Sequence, residues 1–277
     1  MGFGARALIE NLRMRQENDK SLGQHFLNNE EVLDQTIELS GLTSDDVVIE
    51  VGPGPGVLTE RLLESGCEVR AIEIDPGVCE FLRETFPHLS LTEDDALLAK
   101  WPSANKFIAN IPYQISSPLI HKITQNASIQ QVVILVQEEF AQRLVVELSS
   151  DRGSLGMCTK LDWDSKIEMR VGANCFTPSP QVNSCLVKME RVNPPENSKL
   201  TKLLIRQAFE QRRKKLRNTL SKAPKRISRV SGWHAKAYKD AIQSIESPLF
   251  DERPEDLNLD DWLELSSLLE NARKAMG

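Results

Sequence analysis

The stretch Val47-Val48-Ile49-Glu50-Val51-Gly52-Pro53-Gly54-Pro55-Gly56 constrains the fold of this chain more than any other. Its first half is an almost continuous β-branched run, the pattern of a strand buried on both faces of a parallel sheet. Glycines at 52, 54 and 56 follow at once, and Val57-Leu58-Thr59-Glu60-Arg61-Leu62-Leu63 then takes up helical periodicity. With no Cβ in the way, the backbone there can turn sharply from strand to helix and approach a ligand closely. The spacing is G-x-G-x-G, one residue short of the dinucleotide fingerprint G-x-G-x-x-G. That shortfall argues against NAD and for S-adenosylmethionine, which needs no pyrophosphate cradle; a bare structural turn is the alternative.

Strands and helices alternate from this point. Glu68-Val69-Arg70-Ala71-Ile72-Glu73-Ile74-Asp75 reads as the second strand, ending in acids about twenty residues after Gly52, where a carboxylate can accept both hydroxyls of a ribose. Glu73 suits that role, whereas Asp75, standing before Pro76, suits a helix N-cap. Leu89-Ser90-Leu91-Thr92 is a third strand, and the acids after it, Asp95 among them, can accept from an adenine amino group. Lys106-Phe107-Ile108-Ala109 is a short buried strand that Pro112 terminates, so Asn110-Ile111-Pro112-Tyr113 forms the loop at its carboxyl end, where open α/β sheets bind ligands. A helix from Ser116 or Ser117 that can start at Pro118, a strand over 131–136, a helix over 138–149 and two antiparallel edge strands at 166–171 and 184–189 complete the pattern. The expected fold is a doubly wound, mostly parallel Rossmann-like α/β sheet.

Residues 5 to 15 carry Leu8 and Leu12 at helical spacing and predict a short amphipathic helix or basic arm. Asn28-Asn29-Glu30-Glu31 predicts a helix start with acids in its first turn. Between the edge strands, Phe176-Thr177-Pro178-Ser179-Pro180 is a stiff extended loop that holds its aromatic ring in place. Arg191-Val192-Asn193-Pro194-Pro195-Glu196-Asn197 is the expected linker, giving a domain over 1–193, with residues 1–21 as its arm, and an all-helical domain over 194–277. In the latter, Leu203, Leu204, Phe209, Leu216 and Leu220 supply a buried stripe, and the leucines around Trp262 a closing helix.

Net charge is −6, which by itself speaks against a nucleic-acid partner, yet from Lys199 to Arg229 twelve Lys or Arg face a single acid, Glu210. A basic block inside an acidic protein is the electrostatic footprint of phosphate contact; a solvated helix face is the alternative. The five cysteines are odd in number, scattered and never in a C-x-x-C pair, which argues against a disulfide framework and a zinc site and for reduced core residues in a cytoplasmic protein. No run of eighteen or more apolar residues occurs, so a membrane span is not expected.

Taken together, these segments resemble the ribosomal small-subunit RNA adenine N6,N6-dimethyltransferases, a branch of the class I S-adenosylmethionine-dependent methyltransferases. The likeness runs through Leu22-Gly23-Gln24-His25-Phe26-Leu27, Glu50 to Thr59, Glu73-Ile74-Asp75, Asp95-Ala96, Asn110-Ile111-Pro112-Tyr113, Gln137 to Leu144, Phe176 to Pro180 and Arg212-Arg213-Lys214. It implies that S-adenosylmethionine, with S-adenosylhomocysteine as product and no metal, contacts His25, Leu27, Gly52, Gly54, Glu73, Asp95 and Asn110. It further implies dimethylation of two adjacent adenosines near the 3′ end of small-subunit rRNA during ribosome biogenesis, with the immature small subunit as partner; a monomer is the simpler expectation for a protein whose large partner is RNA. His25 stands where many bacterial relatives have asparagine, and Ile111 where leucine is usual.

The residues suit that chemistry. Exocyclic N6 of adenine is a poor nucleophile because its lone pair is delocalised, so positioning should dominate. The Asn110 side-chain oxygen and the carbonyl beside Pro112 can accept the two amino hydrogens and aim the lone pair at the methyl carbon. Tyr113 and Phe176 can stack on an extruded adenine, each stack contributing on the order of 1–3 kcal/mol. Arg212, Arg213, Lys214, Lys215 and Arg217 are the expected RNA contacts. Two rivals remain open at this point: an adenine-N6 methyltransferase acting on large-subunit RNA or DNA, and a binding protein such as an RNA chaperone, assembly checkpoint or transcription factor that has lost turnover.

Overall fold

The computed structural model describes residues 3–16 and 24–276. Leu22 and Gly23 of the segment ending at Leu27, and residues 17–21 of the expected arm, lie outside the described residues. Helix α1 (Ala5–Arg15) buries Ala5, Leu8, Ile9 and Leu12, the apolar stripe its spacing predicts. It is followed by β1 (Phe26–Leu27) and α2 (Glu30–Ser40), whose N-cap Asn29 accepts a hydrogen bond from the Val32 N–H at 3.0 Å. The Rossmann-like part continues as β2 (Val47–Val51), α3 (Val57–Glu64), β3 (Glu68–Glu73), α4 (Pro76–Thr85), β4 (Ser90–Glu93), β5 (Lys106–Asn110), α5 (Ser116–Gln125), β6 (Gln131–Gln137) and α6 (Glu138–Val145). After α7 (Ser154–Thr159) come β7 (Trp163–Val171), β8 (Phe176–Thr177) and β9 (Ser184–Arg191). Four helices then follow: α8 (Ser198–Phe209), α9 (Leu216–Thr219), α10 (Ala235–Ser244) and α11 (Leu259–Met276).

Seven strands form one sheet in the order β4-β3-β2-β5-β6-β9-β7, while β1 and β8 make a separate two-stranded antiparallel pair. β2 pairs in parallel with both β3 and β5, so the chain's winding reverses at β2. In such sheets a crevice opens outside the carboxyl ends of the two strands at the reversal, here the ends carrying Val51 and Asn110. β9 runs antiparallel to β6, pairing Val187 with Ile134, and lies between β6 and the edge strand β7. Burial explains the composition of these strands: Val48, Ile49, Phe107, Ile108 and residues Val132–Val136 are covered on both faces.

One element differs from expectation at its end: helix α6 stops at Val145 because Val146 adopts φ 55°, a left-handed conformation that a β-branched residue enters only under tertiary constraint. Helix α5 starts at Ser116, one of the two starts expected, which leaves Pro118 in the first turn, where a missing N–H costs no helical bond.

The chain divides into two compact units, Met1–Ala141 with Asp164–Arg191, and Gln142–Trp163 with Val192–Gly277. The break after Arg191 lies within the linker read from sequence. Residues 142–163, assigned from sequence to the first domain, pack with the C-terminal helices instead. The cause is apolar: Val146, Met157, Cys158 and Leu161 share one cluster with Leu200, Leu204, Leu216, Leu220, Trp262 and Leu265. None of the five cysteines forms a disulfide; four are buried and Cys175 is half-buried. Among the described residues no helix is long and apolar enough to cross a membrane.

Candidate active site

A cavity of about 220 Å³ lies in the first unit at the carboxyl ends of β2, β3 and β5. Its floor is the glycine loop. Gly52 has φ +67° and donates its N–H to Ile72 O at 2.9 Å, tying the loop to β3. Gly54 has φ +54°, and a Cβ built there would stand 2.9 Å from Phe26 Cε1. Both conformation and space therefore demand glycine at 54, since a side chain would be strained and would also meet the Phe26 ring.

Glu73 ends β3 inside this cavity and is 7% exposed. Its Oε1 accepts from the backbone N–H of Ile74 at 2.8 Å and Asp75 at 3.0 Å, and its Oε2 from Gly54 N–H at 3.3 Å. Burial nevertheless pushes its carboxyl above the ordinary range, the backbone hydrogen bonds opposing. Asp75 does what its place before Pro76 predicts: Oδ1 caps α4, accepting from Gly77 N–H at 2.9 Å and Val78 N–H at 3.3 Å. Asp95 lines the cavity with Oδ1 accepting from Leu97 N–H at 2.8 Å, so its other oxygen is left for a ligand.

Glu50 was not singled out from sequence, although an acid within a β-branched run was the signal. It lines the cavity at 2% exposure and accepts from Thr59 Oγ1 at 2.7 Å. Burial, reinforced by the nearby charge of Glu73 and opposed by the Thr59 hydrogen bond, pushes its carboxyl up to about 8.

Asn110 closes β5 and donates Nδ2–H to His25 O at 3.2 Å. Because a carbonyl oxygen can only accept, the amide nitrogen must face His25, and Oδ1 is turned the other way as a free acceptor. Pro112 O accepts from Ile115 N–H at 3.1 Å, and among the described residues no backbone N–H takes Ile111 O. Of the carbonyls of Ile111 and Pro112, the Ile111 carbonyl is therefore the one left to a ligand. The Tyr113 hydroxyl is 2.8 Å from Ser184 Oγ on β9, which anchors the ring at the cavity wall, and burial raises its phenol above the ordinary range despite that bond. His25 stacks on the same ring, centroids 5.8 Å apart, with Nδ1 2.8 Å from Pro178 O.

His25, Leu27, Gly52, Gly54, Glu73, Asp95, Asn110, Pro112 and Tyr113 thus surround one cavity. Phe176 is not among its lining residues. It is 3% exposed, pairs with Leu27 across β1 and β8, and belongs to the hydrophobic core with Phe26 and Leu33. The aromatic face of the cavity is built instead from Tyr113 and His25, a pairing of residues 88 positions apart that sequence spacing could not reveal.

In the second unit the basic residues Arg212–Lys215 form an exposed turn between α8 and α9 and are not on a helix face. Arg212 pairs with Glu255, and Lys215 and Arg217 both pair with Asp251. Arg213 and Lys214 form no ion pair among the described residues.

A crevice at the winding reversal, a glycine-turned loop beneath it and an acid at the end of the second strand define a class I, Rossmann-like methyltransferase. Solved structures agree: the chain resembles a dimethyladenosine transferase from Plasmodium falciparum, at 28% identity and TM-score 0.69, covering 90% of this chain and 98% of that one. It also resembles the 23S rRNA methyltransferase ErmE, at 25% identity and TM-score 0.65, covering 88% and 99%. The chain belongs to the ribosomal RNA adenine dimethylase family, whose model matches residues 15–236. Relatives include the probable ribosomal RNA small subunit methyltransferases A of Pyrococcus abyssi, 36% identical over 82% of this chain and 83% of that protein, and of Thermococcus gammatolerans, 31% identical over 91% of each. The ribosomal RNA small subunit methyltransferase A of Clostridium botulinum is 35% identical over 73% of this chain and 79% of that protein.

Proposed function

We propose that this protein uses S-adenosylmethionine to methylate N6 of adenosines in small-subunit rRNA, dimethylating two adjacent adenosines near the 3′ end of an immature small subunit. The orientation of Asn110 carries the reading. With Nδ2 committed to His25 O, Oδ1 is a preset acceptor beside the cavity, and Ile111 O supplies a second. Two acceptors that take the two amino hydrogens of an adenine hold its N6 still without a strong base or a nucleophilic side chain.

The cavity suits the donor molecule on its own evidence. Close backbone approach at Gly54, a buried Glu73 carboxylate for ribose hydroxyls and the remaining Asp95 oxygen for an adenine amino group match a nucleoside with a charged tail. Bound there, the donor supplies a methyl group on a sulfonium. His25 and Leu27 border the same space, the first through a backbone carbonyl already tied to Asn110. Tyr113, braced by Ser184, offers a face for stacking the target base. Phe176 supports the site through β8, whose pairing to β1 holds residues 26–27 against it. All of the cavity's lining residues lie within 24–115 of the first unit, which suits a monomer as the working state.

The basic turn at Arg212–Lys215, with Arg217, supplies phosphate contacts to rRNA. The second reading, a large-subunit rRNA target, is favoured by the likeness to ErmE. Incubation with labelled S-adenosylmethionine and either immature small subunits, large-subunit rRNA or naked small-subunit RNA, followed by mapping of the modified base, separates the two. Label confined to large-subunit RNA establishes the second reading, and no label in any RNA removes both.

A further inference from the structure

The helical unit contains its own counter-charge to the basic turn. Residues 246–264 hold eight acids against one base, Arg253, while the block from Lys199 to Arg229 holds twelve bases against one acid. The two segments meet through specific contacts. Asp251 Oδ1 receives Lys215 Nζ at 3.2 Å and also Arg217 Nη2, and Glu255 Oε2 receives Arg212 Nε.

We propose that Asp251 and Glu255 occupy, in the free protein, two phosphate-binding positions of the RNA surface, and that RNA phosphates displace them on binding. This rests on the reading of the basic block as an RNA surface. A carboxylate and a phosphate present the same oxygen acceptors to Arg and Lys, so one cation cluster serves either. All three cations remain just over half exposed, at 51%, 53% and 54% for Arg212, Lys215 and Arg217. Ion pairs so open to water are weak and exchange readily for a polyanion of higher charge density.

The acidic segment does not depend on these pairs for its position. Leu216 N–H donates to Glu252 O at 2.9 Å, and Arg152 Nη1 donates to Glu255 O at 3.2 Å and Asp256 O at 2.6 Å. Pro254 and Leu257 are buried beside them. The carboxylates are therefore delivered by the backbone, and neutralising them leaves the segment in place. Their effect is selective: an RNA with phosphates placed to displace both acids binds, and an arbitrary polyanion is held off.

The test compares wild type, D251N/E255Q and R213A/K214A in binding to a duplex RNA of arbitrary sequence, by fluorescence anisotropy across a salt series. E252Q, which removes an exposed acid that forms no ion pair among the described residues, controls for bulk charge. Circular dichroism checks that each variant folds, and E255Q alone stands in should the double variant fail. D251N/E255Q is expected to bind about 3- to 10-fold more tightly at low salt, with the slope of log affinity against log salt steeper by about one, and E252Q to stay near wild type. If R213A/K214A weakens binding while D251N/E255Q leaves affinity and slope unchanged or lowers them, the RNA surface stands and the displacement idea fails. If E252Q tightens binding as much as D251N/E255Q, the effect is bulk charge and the idea fails as well. If R213A/K214A also binds as wild type does, the basic block is not the RNA surface and both fall.

Discussion

The amide of Asn110 shows how much a single residue's hydrogen bond decides. Spacing marks it as the end of a strand, but only the contact to His25 O tells which end of the amide is free. Asn110→Ala is expected to lower the methylation rate by about 100-fold or more while leaving S-adenosylmethionine affinity within about tenfold. Single-turnover rates and cofactor titration check this, and equal loss of both contradicts the assigned role. Glu50 offers a test of a different kind. Its folded-state carboxyl titrates near 8, above its ordinary 4.5, so the native state holds the proton more tightly than the unfolded chain. Whatever stability Glu50 lends is present below pH 4.5 and lost as pH rises toward 8. Glu50→Gln should match wild type near pH 4.5 and exceed it by on the order of 3 kcal/mol at pH 7. Urea unfolding of both proteins across that range decides it; a difference that does not change with pH removes the buried charge as its cause. A glutamate inside a β-branched run was visible in sequence, yet its burial against Thr59 and Glu73 was not, because those partners come from another helix and another strand.

At the scale of elements, the strand–glycine loop–helix unit was legible almost to the residue: β2 ends at Val51 and α3 starts at Val57. Local chemistry settles such boundaries, since β-branched residues favour strands and glycines accept a left-handed turn without steric cost. What the loop touches is a tertiary matter. Gly54→Ala places a methyl 2.9 Å from Phe26 Cε1 at φ +54°, so the loop or the Phe26 ring, both of which line the cavity, must shift. The variant should lose about 1–3 kcal/mol of stability and show a much smaller rise in melting temperature on adding S-adenosylmethionine. A ligand-induced shift equal to that of wild type would contradict a close approach of Gly54 to the cofactor. The basic turn teaches the converse. Its charge is plain in the sequence, but its backbone is not: the structure has a turn between α8 and α9, three of whose flanking cations are held by acids some forty residues further on.

For the whole molecule, the cavity and the basic block fall in different units. The Rossmann-like unit carries the cavity, and the helical unit carries a concentration of positive charge that an otherwise acidic chain lacks elsewhere. Replacing Arg212, Arg213, Lys214 and Lys215 together with Ala should flatten the salt dependence of RNA binding by about two to three in log–log slope. Methylation should then suffer mainly in KM for RNA, with turnover at saturating RNA largely kept. An unchanged slope removes the block from the interface.

By itself the sequence determined the alternation of strands and helices from Val47 to Val136, the glycine loop, the helix start at Asn28–Glu31, the N-cap at Asp75 and the family, because periodicity, turn chemistry and motif spacing are local properties of the chain. The tertiary structure alone decided which ring meets Tyr113, which way Asn110 faces, and that residues 142–163 pack with the C-terminal helices. It also put Phe176, read from sequence as half of a clamp, into the core at 3% exposure. Each of these depends on contacts between residues far apart in sequence, where burial of apolar area and pairing of polar groups are settled by the packed whole and leave no periodic trace in the chain.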